Sequence, residues 1–345
     1  MGERARGPRG SRSRIAAELV GGVAPPEFGR ARPWLQPASG RTLTVVGADG
    51  FIGAAVVAAA LAAGARIVGL TLKRPWRLAG TTDERASFRP IERERWGFSA
   101  AAALRNDPTE AVLVLGYVPP SSREADAWRA HERDVNLRGV DDVVRAAGEL
   151  GARVVFASSA DVLGSWVEDS ADELTAPDPA TPYADAKLSA EAIVSDANGV
   201  SLRIATVYGP GENGPRAIPS FARAFLRGER PVLHGGGLDS RDYVHVTDVA
   251  TAFVNAGLTA GIPPVLNVGS GVPRTTRDVL AAVAAAVGVE PDADEVPSPR
   301  APTRLVLDIA KARACLQLEP RVDFAAALAE ELAWLAGAIE VGEAV

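Results

Sequence analysis

Short apolar runs alternate with longer amphipathic or alanine-rich segments over most of this chain. The runs at 43–46, 66–72, 111–115, 153–157 and 200–207 have the length and the β-branched content typical of buried strands. Segments of helical length lie between several of them, including 123–150 and a segment that begins near Tyr183. This alternation predicts an α/β fold with a doubly wound parallel sheet that helices cover on both faces.

The alternation becomes looser after Tyr208, where glycine- and proline-rich loops interrupt it. The remaining predicted elements are a strand at 265–268 and helices at 276–287 and 324–338. The first 40 residues differ from the rest, because arginines crowd the beginning and several prolines follow. Glu18 interrupts the one apolar stretch there, so no signal-peptide core is present, and we expect residues 1–40 to be a flexible extension.

Composition and charge exclude several classes of function. Acidic residues outnumber basic residues by 43 to 37, and a net charge of −6 argues against a nucleic-acid partner. The single cysteine and the three dispersed histidines provide no disulfide and no metal-ligand spacing, so we expect no bound metal. The longest apolar stretch, 53–65, is too short to cross a membrane. These features together predict a cytoplasmic enzyme.

A glycine-rich turn follows the first predicted strand and opens a helix. Residues 47–53 read GADGFIG, which places glycines at positions 47, 50 and 53. Glycine permits the tight turn and lets backbone N–H groups approach a pyrophosphate at the positive end of the helix. The turn therefore predicts a dinucleotide site, although a similar turn can bind nothing. Its expected contacts are Gly47, Asp49, Gly50, Phe51, Ile52 and Gly53.

The end of the second predicted strand bears on the choice of cofactor. An acidic residue at this point favours NAD by accepting hydrogen bonds from the adenosine ribose. Here the strand ends in TLKR, and Lys73 and Arg74 stand where the acid is expected. Two cations can neutralise a 2′-phosphate, although they can also be a solvated pair. We expect NADP or NAD and favour NADP.

A tyrosine and a lysine occur four residues apart at the start of a predicted helix. Tyr183 and Lys187 therefore share one helix face. The chain has only three lysines and four tyrosines, so such a pair arises by chance with a probability of about 0.03. An ammonium held near a phenol favours the phenolate, and together with the positive nicotinamide ring of an oxidised cofactor it predicts an unusually acidic tyrosine that exchanges a proton with a sugar hydroxyl or ketone. A surface contact between the two side chains is the alternative interpretation.

Ser159 lies just beyond the strand predicted over 153–157. The carboxyl end of a parallel strand is where ligands bind in such sheets, and a hydroxyl there can orient a reacting oxygen. A serine that only forms the turn is the alternative.

The order of these motifs resembles that of a known family. The chain carries GADGFIG, DVNLRG, ASSADVLG, PYADAK, RIATVYGPG, RDYVHVTD and NVGSG in sequence. This order is similar to that of the extended short-chain dehydrogenases/reductases, the NAD-dependent epimerases/dehydratases that act on nucleotide sugars. The resemblance covers about residues 41–335. It implies that Ser159 is the catalytic hydroxyl, Tyr183 the acid/base, and Lys187 its partner, which also binds the nicotinamide ribose.

The resemblance also implies contacts around the substrate. Arg241 matches an arginine that pairs with the diphosphate of a nucleotide sugar, as its planar guanidinium fork permits. Thr206 occupies a position near the sugar, and Tyr117 either narrows the site there or only packs. Asn136 matches a residue that supports the active site. His245 is expected to be structural, and Arg300 is a further candidate for a phosphate contact.

The family organisation predicts two domains. Residues 41–207 with 243–269 would form the dinucleotide-binding domain, and residues 208–242 with 270–345 the smaller substrate-binding lobe, with the sugar between them. The helix over 123–150 and the helix that bears Tyr183 would pair two copies into a homodimer.

Three functions remain open at this point. The first is NADPH-dependent reduction of a nucleotide-linked 4-keto-6-deoxyhexose, which the missing acid after the second strand and the residues that follow Thr206 favour. The second is epimerisation of a nucleotide sugar with tightly bound NAD. The third is a catalytically idle NADP-binding scaffold, against which the presence of all three catalytic residue types argues. Dehydration is disfavoured, because Ala160-Asp161 supplies half of the acidic pair that 4,6-dehydratases carry after the catalytic hydroxyl.

Overall fold

A computed structural model describes residues 32–72, 76–78, 81–119, 125–164, 169–212, 214–320 and 323–340. Its strands are β1 (Thr42–Val46), β2 (Arg66–Thr71), β3 (Ala86–Pro90), β4 (Ala111–Val114), β5 (Arg153–Ser159), β6 (Val200–Ile204), β7 (Thr206–Tyr208), β8 (Val232–His234), β9 (Ser240–His245), β10 (Val265–Val268), β11 (Pro273–Thr275), β12 (Asp294–Val296) and β13 (Arg304–Leu305). Its helices are α1 (Phe51–Ala62), α2 (Trp96–Asn106), α3 (Ala125–His131), α4 (Arg138–Leu150), α5 (Pro182–Asp196), α6 (Ala217–Arg227), α7 (Val246–Leu258), α8 (Thr276–Val287), α9 (Ala310–Leu316) and α10 (Phe324–Glu340).

The central sheet is the doubly wound parallel sheet that the sequence predicts. Within the described ranges it has seven strands in the order β10-β6-β5-β4-β1-β2-β3. Every pairing in it is parallel. The chain moves outward from β1 to β2 and β3, then returns to β4 on the other side of β1. This reversal leaves a crevice at the carboxyl ends of β1 and β4, where ligands bind in such sheets.

Helices cover both faces of this sheet, and small aliphatic side chains fill the layers between. α1 packs against α7 on one face, and α2 packs against α4 on the other. The first face buries alanines and valines of α1 and α7 together with Phe253, and the second buries Trp96 and Phe156. Because helices cover both faces of the sheet, the apolar side chains of the central strands are buried on both sides.

A second set of strands forms beside the central sheet. In the described part of the chain, β11 and β13 pair with β9, β7 also pairs with β9, and β12 pairs with β8. α6, α8 and α10 enclose a third apolar cluster that includes Phe221, Leu280 and Leu328. The division into the two domains given above stays a prediction.

Most predicted elements are confirmed to within two or three residues. Two of them differ from the structure, and the edge strand β3 is an element that was not predicted. The single strand predicted over 200–207 is wrong, because the chain leaves the central sheet at Ala205 and continues as β7 in the second sheet. The long helix predicted over 123–150 contains a π-helical turn, Glu132–Leu137, between α3 and α4. β3 was not predicted, because this largely polar edge strand lacks an apolar run.

Part of the predicted N-terminal extension is packed against the fold. The Gln36 backbone N–H donates to Asn255 Oδ1 (3.0 Å), and Asn255 Nδ2 donates to the Trp34 carbonyl oxygen (2.8 Å). Arg32 forms an ion pair with Asp248 (2.9 Å). Residues 32–38 are therefore anchored on α7, while residues 1–31 lie outside the described part of the chain.

Two further expectations concern surfaces. Among the described helices, none has both the length and the apolar character needed to cross a lipid bilayer. Pairing of two copies through α3–α4 and α5 stays a prediction.

The glycine turn between β1 and α1 is as tight as its sequence suggests. Gly47 has a φ of +83°, and a Cβ there would lie 2.9 Å from the Gly116 nitrogen. A Cβ on Gly53 would lie 2.0 Å from the Gly47 carbonyl oxygen. Gly50 is the N-terminal cap of α1 and provides no side-chain hydrogen bond, so the first N–H groups of this helix remain available.

We expect Gly53→Ala to destabilise the fold, because the new methyl group forces α1 away from the turn. Overpacking of this kind costs about 1–3 kcal/mol. The measurement is thermal unfolding of the full chain. Gly148→Ala is the matched control, since Gly148 is exposed on α4 with nothing within 4 Å of its added Cβ. The control should be neutral or stabilising by up to about 1 kcal/mol. Equal stabilities for the two variants would contradict the expected clash.

Candidate active site

The end of β5 and the beginning of α5 bring the predicted catalytic side chains together. Thr181 caps α5 by accepting a hydrogen bond from the Ala184 N–H (3.1 Å), and Pro182 occupies the first turn. This start places Tyr183 in the first turn of α5 and Lys187 one turn later on the same face. Ser159 is the last residue of β5, where the chain enters a short helical turn over 160–163.

Ser159 and Tyr183 line one cavity of about 390 Å³. Ser159 Oγ accepts a hydrogen bond from the Asp161 N–H (3.2 Å), and the Ser159 hydroxyl lies close enough to Tyr183 to lower the pKa of that phenol. The two hydroxyls therefore form one polar centre on the cavity wall, which is the arrangement expected for a group that orients and protonates a substrate oxygen.

Lys187 lies behind this centre, away from solvent. Its Nζ donates to the Ala157 carbonyl oxygen (2.7 Å) and lies 4.7 Å from the ring centroid of Phe156. The same nitrogen is 5.6 Å from the ring centroid of Tyr183. The ammonium thus approaches the phenol from the protein side, and the Ala157 carbonyl and the aromatic rings replace part of its hydration.

Burial dominates the protonation of both groups. Burial and the charge of Asp161 raise the pKa of Tyr183 to about 12, while the Ser159 hydroxyl and Arg216 oppose this. Burial also lowers the pKa of Lys187 to about 8. The unusually acidic phenol, expected beside both the ammonium and an oxidised nicotinamide ring, stays a prediction for the enzyme with cofactor, because in the protein alone desolvation disfavours the phenolate.

A buried carboxylate that the sequence analysis missed completes this side of the site. Glu132 is 3% exposed and accepts hydrogen bonds from the Tyr117 hydroxyl and from Asn136 Nδ2 (3.2 Å). Asn136 also accepts from the Val118 N–H (3.0 Å) and donates to the Val118 carbonyl oxygen (2.9 Å). Asn136 therefore supports the segment after β4, as the resemblance implied. The signal in the sequence that could have identified Glu132 was its position four residues before Asn136, because residues with this spacing share one face of a helix.

Of the two roles left open for Tyr117, narrowing the sugar site or packing, its contacts favour packing. Its hydroxyl is engaged with Glu132, and its ring packs edge-on against Tyr183 with 5.2 Å between ring centroids. Burial raises the pKa of Tyr117 well above its usual value, and so does the neighbouring carboxylate. The structure therefore assigns Tyr117 to packing and hydrogen bonding behind the catalytic tyrosine.

The opposite wall of the cavity carries the predicted substrate residues. Thr206 and Arg241 both line it, together with Glu212 and Arg216, which the sequence analysis did not single out. Arg241 is fixed by donating to the Thr303 hydroxyl (2.8 Å) and to the Ser240 carbonyl oxygen (2.8 Å). Its guanidinium is therefore held in place before any ligand binds.

Arg216 stands where this cavity meets a second one. The second cavity has a volume of about 560 Å³ and is also lined by Arg216, with His234, Asp239 and Arg300. Arg300 forms an ion pair with Asp239 (2.7 Å) at its edge. The two cavities share Arg216 and Ala217 in their lining.

The loop that presents Arg216 is held from behind by two acidic side chains. Glu331 of α10 accepts a hydrogen bond from the Gly209 N–H (2.9 Å) and contacts Glu212, which lies 3.7 Å from Arg216. Burial raises the pKa of both carboxyls, and their mutual repulsion favours one shared proton. His245 is structural as expected: it caps α7 by accepting from Thr247, and burial lowers its pKa to about 3.

The glycine turn fits the pyrophosphate of a dinucleotide. The absence of side chains at 47 and 53 lets the turn close on its own backbone and on Gly116, and the uncapped start of α1 supplies N–H donors at Phe51 and Ile52. Asp49 serves the turn itself, because its side chain accepts from the Leu72 N–H (3.4 Å). Lys73 and Arg74, on which the preference for NADP rests, lie outside the described residues.

The turn is connected to the catalytic side chains through the segment after β4. The Gly116 backbone touches Gly47, and Gly116 and Tyr117 line a small cavity together with Lys187. Gly116 therefore links the glycine turn to the surroundings of Lys187, and the ring of Tyr117, the next residue, packs against Tyr183.

Comparisons with known proteins agree with this geometry. The model of the NAD dependent epimerase/dehydratase family matches residues 43–269. A UDP-glucose 4-epimerase of Mycolicibacterium smegmatis is 33% identical over 84% of this chain and 96% of its own length. A dTDP-glucose 4,6-dehydratase of Streptomyces griseus is 26% identical over 85% of this chain and 93% of its own. The UDP-glucose 4-epimerase of Thermus thermophilus, solved as its complex with NAD, superposes with a TM-score of 0.74 and 28% identity over 86% of this chain and 99% of its own.

The family match covers the whole central sheet and both catalytic elements, and the epimerase of M. smegmatis matches at nearly full length. The chain therefore belongs to the NAD dependent epimerase/dehydratase family, the extended short-chain dehydrogenases/reductases that act on nucleotide sugars.

Proposed function

We propose that this enzyme exchanges hydride at a ring carbon of a nucleotide-linked hexose and returns it to the same sugar, as a 4-epimerase does. The observation that carries the proposal is the placement of Ser159 and Tyr183 on the wall of the same 390 Å³ cavity, with Lys187 behind it. The long match to a UDP-glucose 4-epimerase supports exchange over net reduction.

The residues of the glycine turn would hold the cofactor. Gly47, Gly50 and Gly53 would receive the pyrophosphate, with the N–H groups of Phe51 and Ile52 as donors. A nicotinamide cofactor bound there supplies the hydride acceptor and donor that the protein itself lacks. NAD is the first choice, since solved relatives are complexes with NAD.

The chain's own side chains handle the proton. The Tyr183 Oη takes the proton of the sugar hydroxyl as that carbon is oxidised and returns it when the ketone is reduced. Ser159 donates a hydrogen bond to the same sugar oxygen and keeps it within reach of Tyr183. Lys187 places a positive charge close to the phenol and stabilises the phenolate that forms.

The two connected cavities orient the substrate. The sugar would occupy the cavity of Ser159 and Thr206, and the nucleoside the second cavity. Arg216 and Arg241 would pair with the diphosphate between them, because guanidinium forks bind phosphate oxygens in two places at once. A ligand held only at its diphosphate and nucleoside leaves the sugar ring free to present either face to the hydride carrier.

Hydride exchange and net reduction differ in whether the cofactor stays bound to the enzyme between turnovers. Arg77 donates to the Asp49 carbonyl oxygen (3.2 Å) in the glycine turn and to the Gly211 carbonyl oxygen (3.2 Å) in the loop after β7. It thereby ties together both sides of the cleft at the turn, which favours a cofactor that stays bound between turnovers. Reduction of a 4-keto sugar, our second candidate, needs a cofactor that leaves, and the cations Lys73 and Arg74 are the feature that favours it.

Tyr183→Phe should remove nearly all turnover, because the phenol is the group that transfers the proton. Loss of general acid/base catalysis costs about 10²–10⁴-fold in rate. The measurement is interconversion of UDP-glucose and its C4 epimer, or NADPH-dependent consumption of a nucleotide-linked 4-keto sugar. Cofactor content and nucleotide binding should be unchanged, since the ring remains. A Phe variant with wild-type turnover on the true substrate would refute the assignment.

Arg216→Ala and Arg241→Ala should each raise KM for the nucleotide sugar by about 10–100-fold, with a smaller effect on kcat, because each removes a charge-assisted bond to the diphosphate. Arg145→Ala is the control, since Arg145 lies on the exposed face of α4 and pairs only with Asp141 in the contacts described (3.0 Å). A KM that rises equally in all three variants would point to a general charge effect.

The balance of cofactor decides between the two reactions. With UDP-glucose, exchange should reach an equilibrium of epimers while the amount of NADH stays at or below that of the enzyme. Net reduction should instead consume one NADPH for each 4-keto sugar. Mass spectrometry of the small molecules released from the purified protein identifies which cofactor it retains.

A further inference from the structure

We propose that Glu132 is a positioning residue of the active site: its buried carboxylate, fixed by Tyr117 and Asn136, is the counter-charge that keeps Lys187 an ammonium beside Tyr183. This rests on the proposed function, because Lys187 is taken there as the cation that stabilises the phenolate. The role differs from those of Ser159, Tyr183 and Lys187, since Glu132 acts through another residue.

The backbone brings Glu132 into the interior through the π-helical turn Glu132–Leu137. Such turns are rare and occur frequently at functional sites. Glu132 and Asn136 are both buried and are hydrogen-bonded to each other (3.2 Å). Both also line the small cavity that Lys187 and Tyr117 share. The π-helical turn therefore places the Glu132 carboxylate at the same small cavity as the Lys187 ammonium.

The hydrogen-bond partners of Glu132 stabilise its charge without cancelling it. Tyr117 and Asn136 are neutral donors. The cationic groups that face the carboxylate are Lys187 from α5 and His131 from the preceding turn. A buried carboxylate is costly unless it is paired with a positive charge. Of these two groups, Lys187 is buried whereas His131 is only half-buried, so Lys187 is the partner that offsets the cost.

The second carboxylate near Lys187 is already committed. Glu191 forms an ion pair with Arg203 (2.8 Å) and accepts a hydrogen bond from the Ser158 hydroxyl (2.5 Å). Its charge is therefore balanced by a guanidinium. Glu132 has no such guanidinium among its described contacts, which leaves it as the principal counter-charge for the ammonium.

The effect of the Glu132 charge on its neighbours has a definite sign. It raises the pKa of Lys187, which burial otherwise lowers to about 8, and it raises the pKa of Tyr183. Tyr183 is also faced by Asp161 and Arg216, and Lys187 by Glu191. The carboxyl of Glu132 has a pKa that burial raises. Removing its charge should therefore make both Lys187 and Tyr183 lose their protons at lower pH.

Glu132→Gln tests this, because the amide keeps the size of the side chain and an oxygen that can accept from Tyr117. Lysine side chains labelled with carbon-13 at Cε report the titration of each ammonium by NMR. The chain has three lysines, so Lys73→Arg and Lys311→Arg variants assign the Lys187 signal. We expect the Lys187 midpoint to fall by about one pH unit in Glu132→Gln.

The same shift should appear in catalysis. The profile of kcat/KM against pH should move to lower pH by about one unit in Glu132→Gln. Glu132→Asp, which restores the charge on a shorter side chain, should return the profile toward that of the wild type. Glu149→Gln is the matched control, because Glu149 is exposed on α4 and pairs with Arg105 (2.8 Å). It should leave both the NMR midpoint and the profile unchanged.

The outcomes separate this proposal from the proposed function. A Lys187 midpoint that stays at its wild-type value in Glu132→Gln overturns the role of Glu132, even if Tyr183→Phe abolishes turnover. A midpoint that falls supports it, even if the reaction turns out to be net reduction. If Glu132→Gln unfolds, Tyr117→Phe takes its place. Tyr117→Phe removes a donor that stabilises the charge of Glu132, so its Lys187 midpoint should also fall, and a midpoint at or above the wild-type value would overturn the proposal.

Discussion

A single ammonium group in an almost dry interior determines how the rest of this active site is arranged. Lys187 is 7% exposed, and its nitrogen is held by one carbonyl oxygen and surrounded by aromatic rings. An isolated buried ammonium would lose its proton, so the protein must supply negative charge and polar contacts nearby. The π-helical turn meets this requirement. It places the buried carboxylate of Glu132 at the same small cavity as Lys187, and the Tyr117 hydroxyl donates a hydrogen bond to that carboxylate.

The topology of the sheet brings that ammonium to the cofactor cleft. The reversal between β1 and β4 places the glycine turn next to the segment that follows β4. That segment, Gly116–Val118, touches Gly47 on one side and is held by Asn136 on the other. A change in either the glycine turn or the π-helical turn would therefore displace the same backbone segment. Cofactor binding and proton transfer would both depend on that segment.

The sequence was sufficient for the features that depend on local pattern. Ser159, Tyr183 and Lys187 follow from a strand end and a helix start, and the structure brings all three together. Glu132 and Arg216 were missed because their roles depend on burial and on a loop path that no periodicity reports. The split of 200–207 at Ala205 was missed because both halves have the same apolar character, and only the partner strands differ. The effect of burial on the pKa of Tyr183 was not predicted either, since desolvation is a property of the packed fold.

The high pKa of Tyr183 has a consequence for how proton and hydride transfer are coupled. A phenol with a pKa near 12 is protonated at neutral pH, so it is a weak acid and cannot accept a proton until its pKa is lowered. Acting as a base would therefore require positive charge beyond what Lys187 provides. A nicotinamide cofactor held by the glycine turn would supply such a charge only in its oxidised form, so the proton affinity of the phenol would follow the redox state of that cofactor. No moving side chain would then be needed to switch Tyr183 between base and acid, and a constant charge such as that of Glu132 would set only the midpoint of the switch.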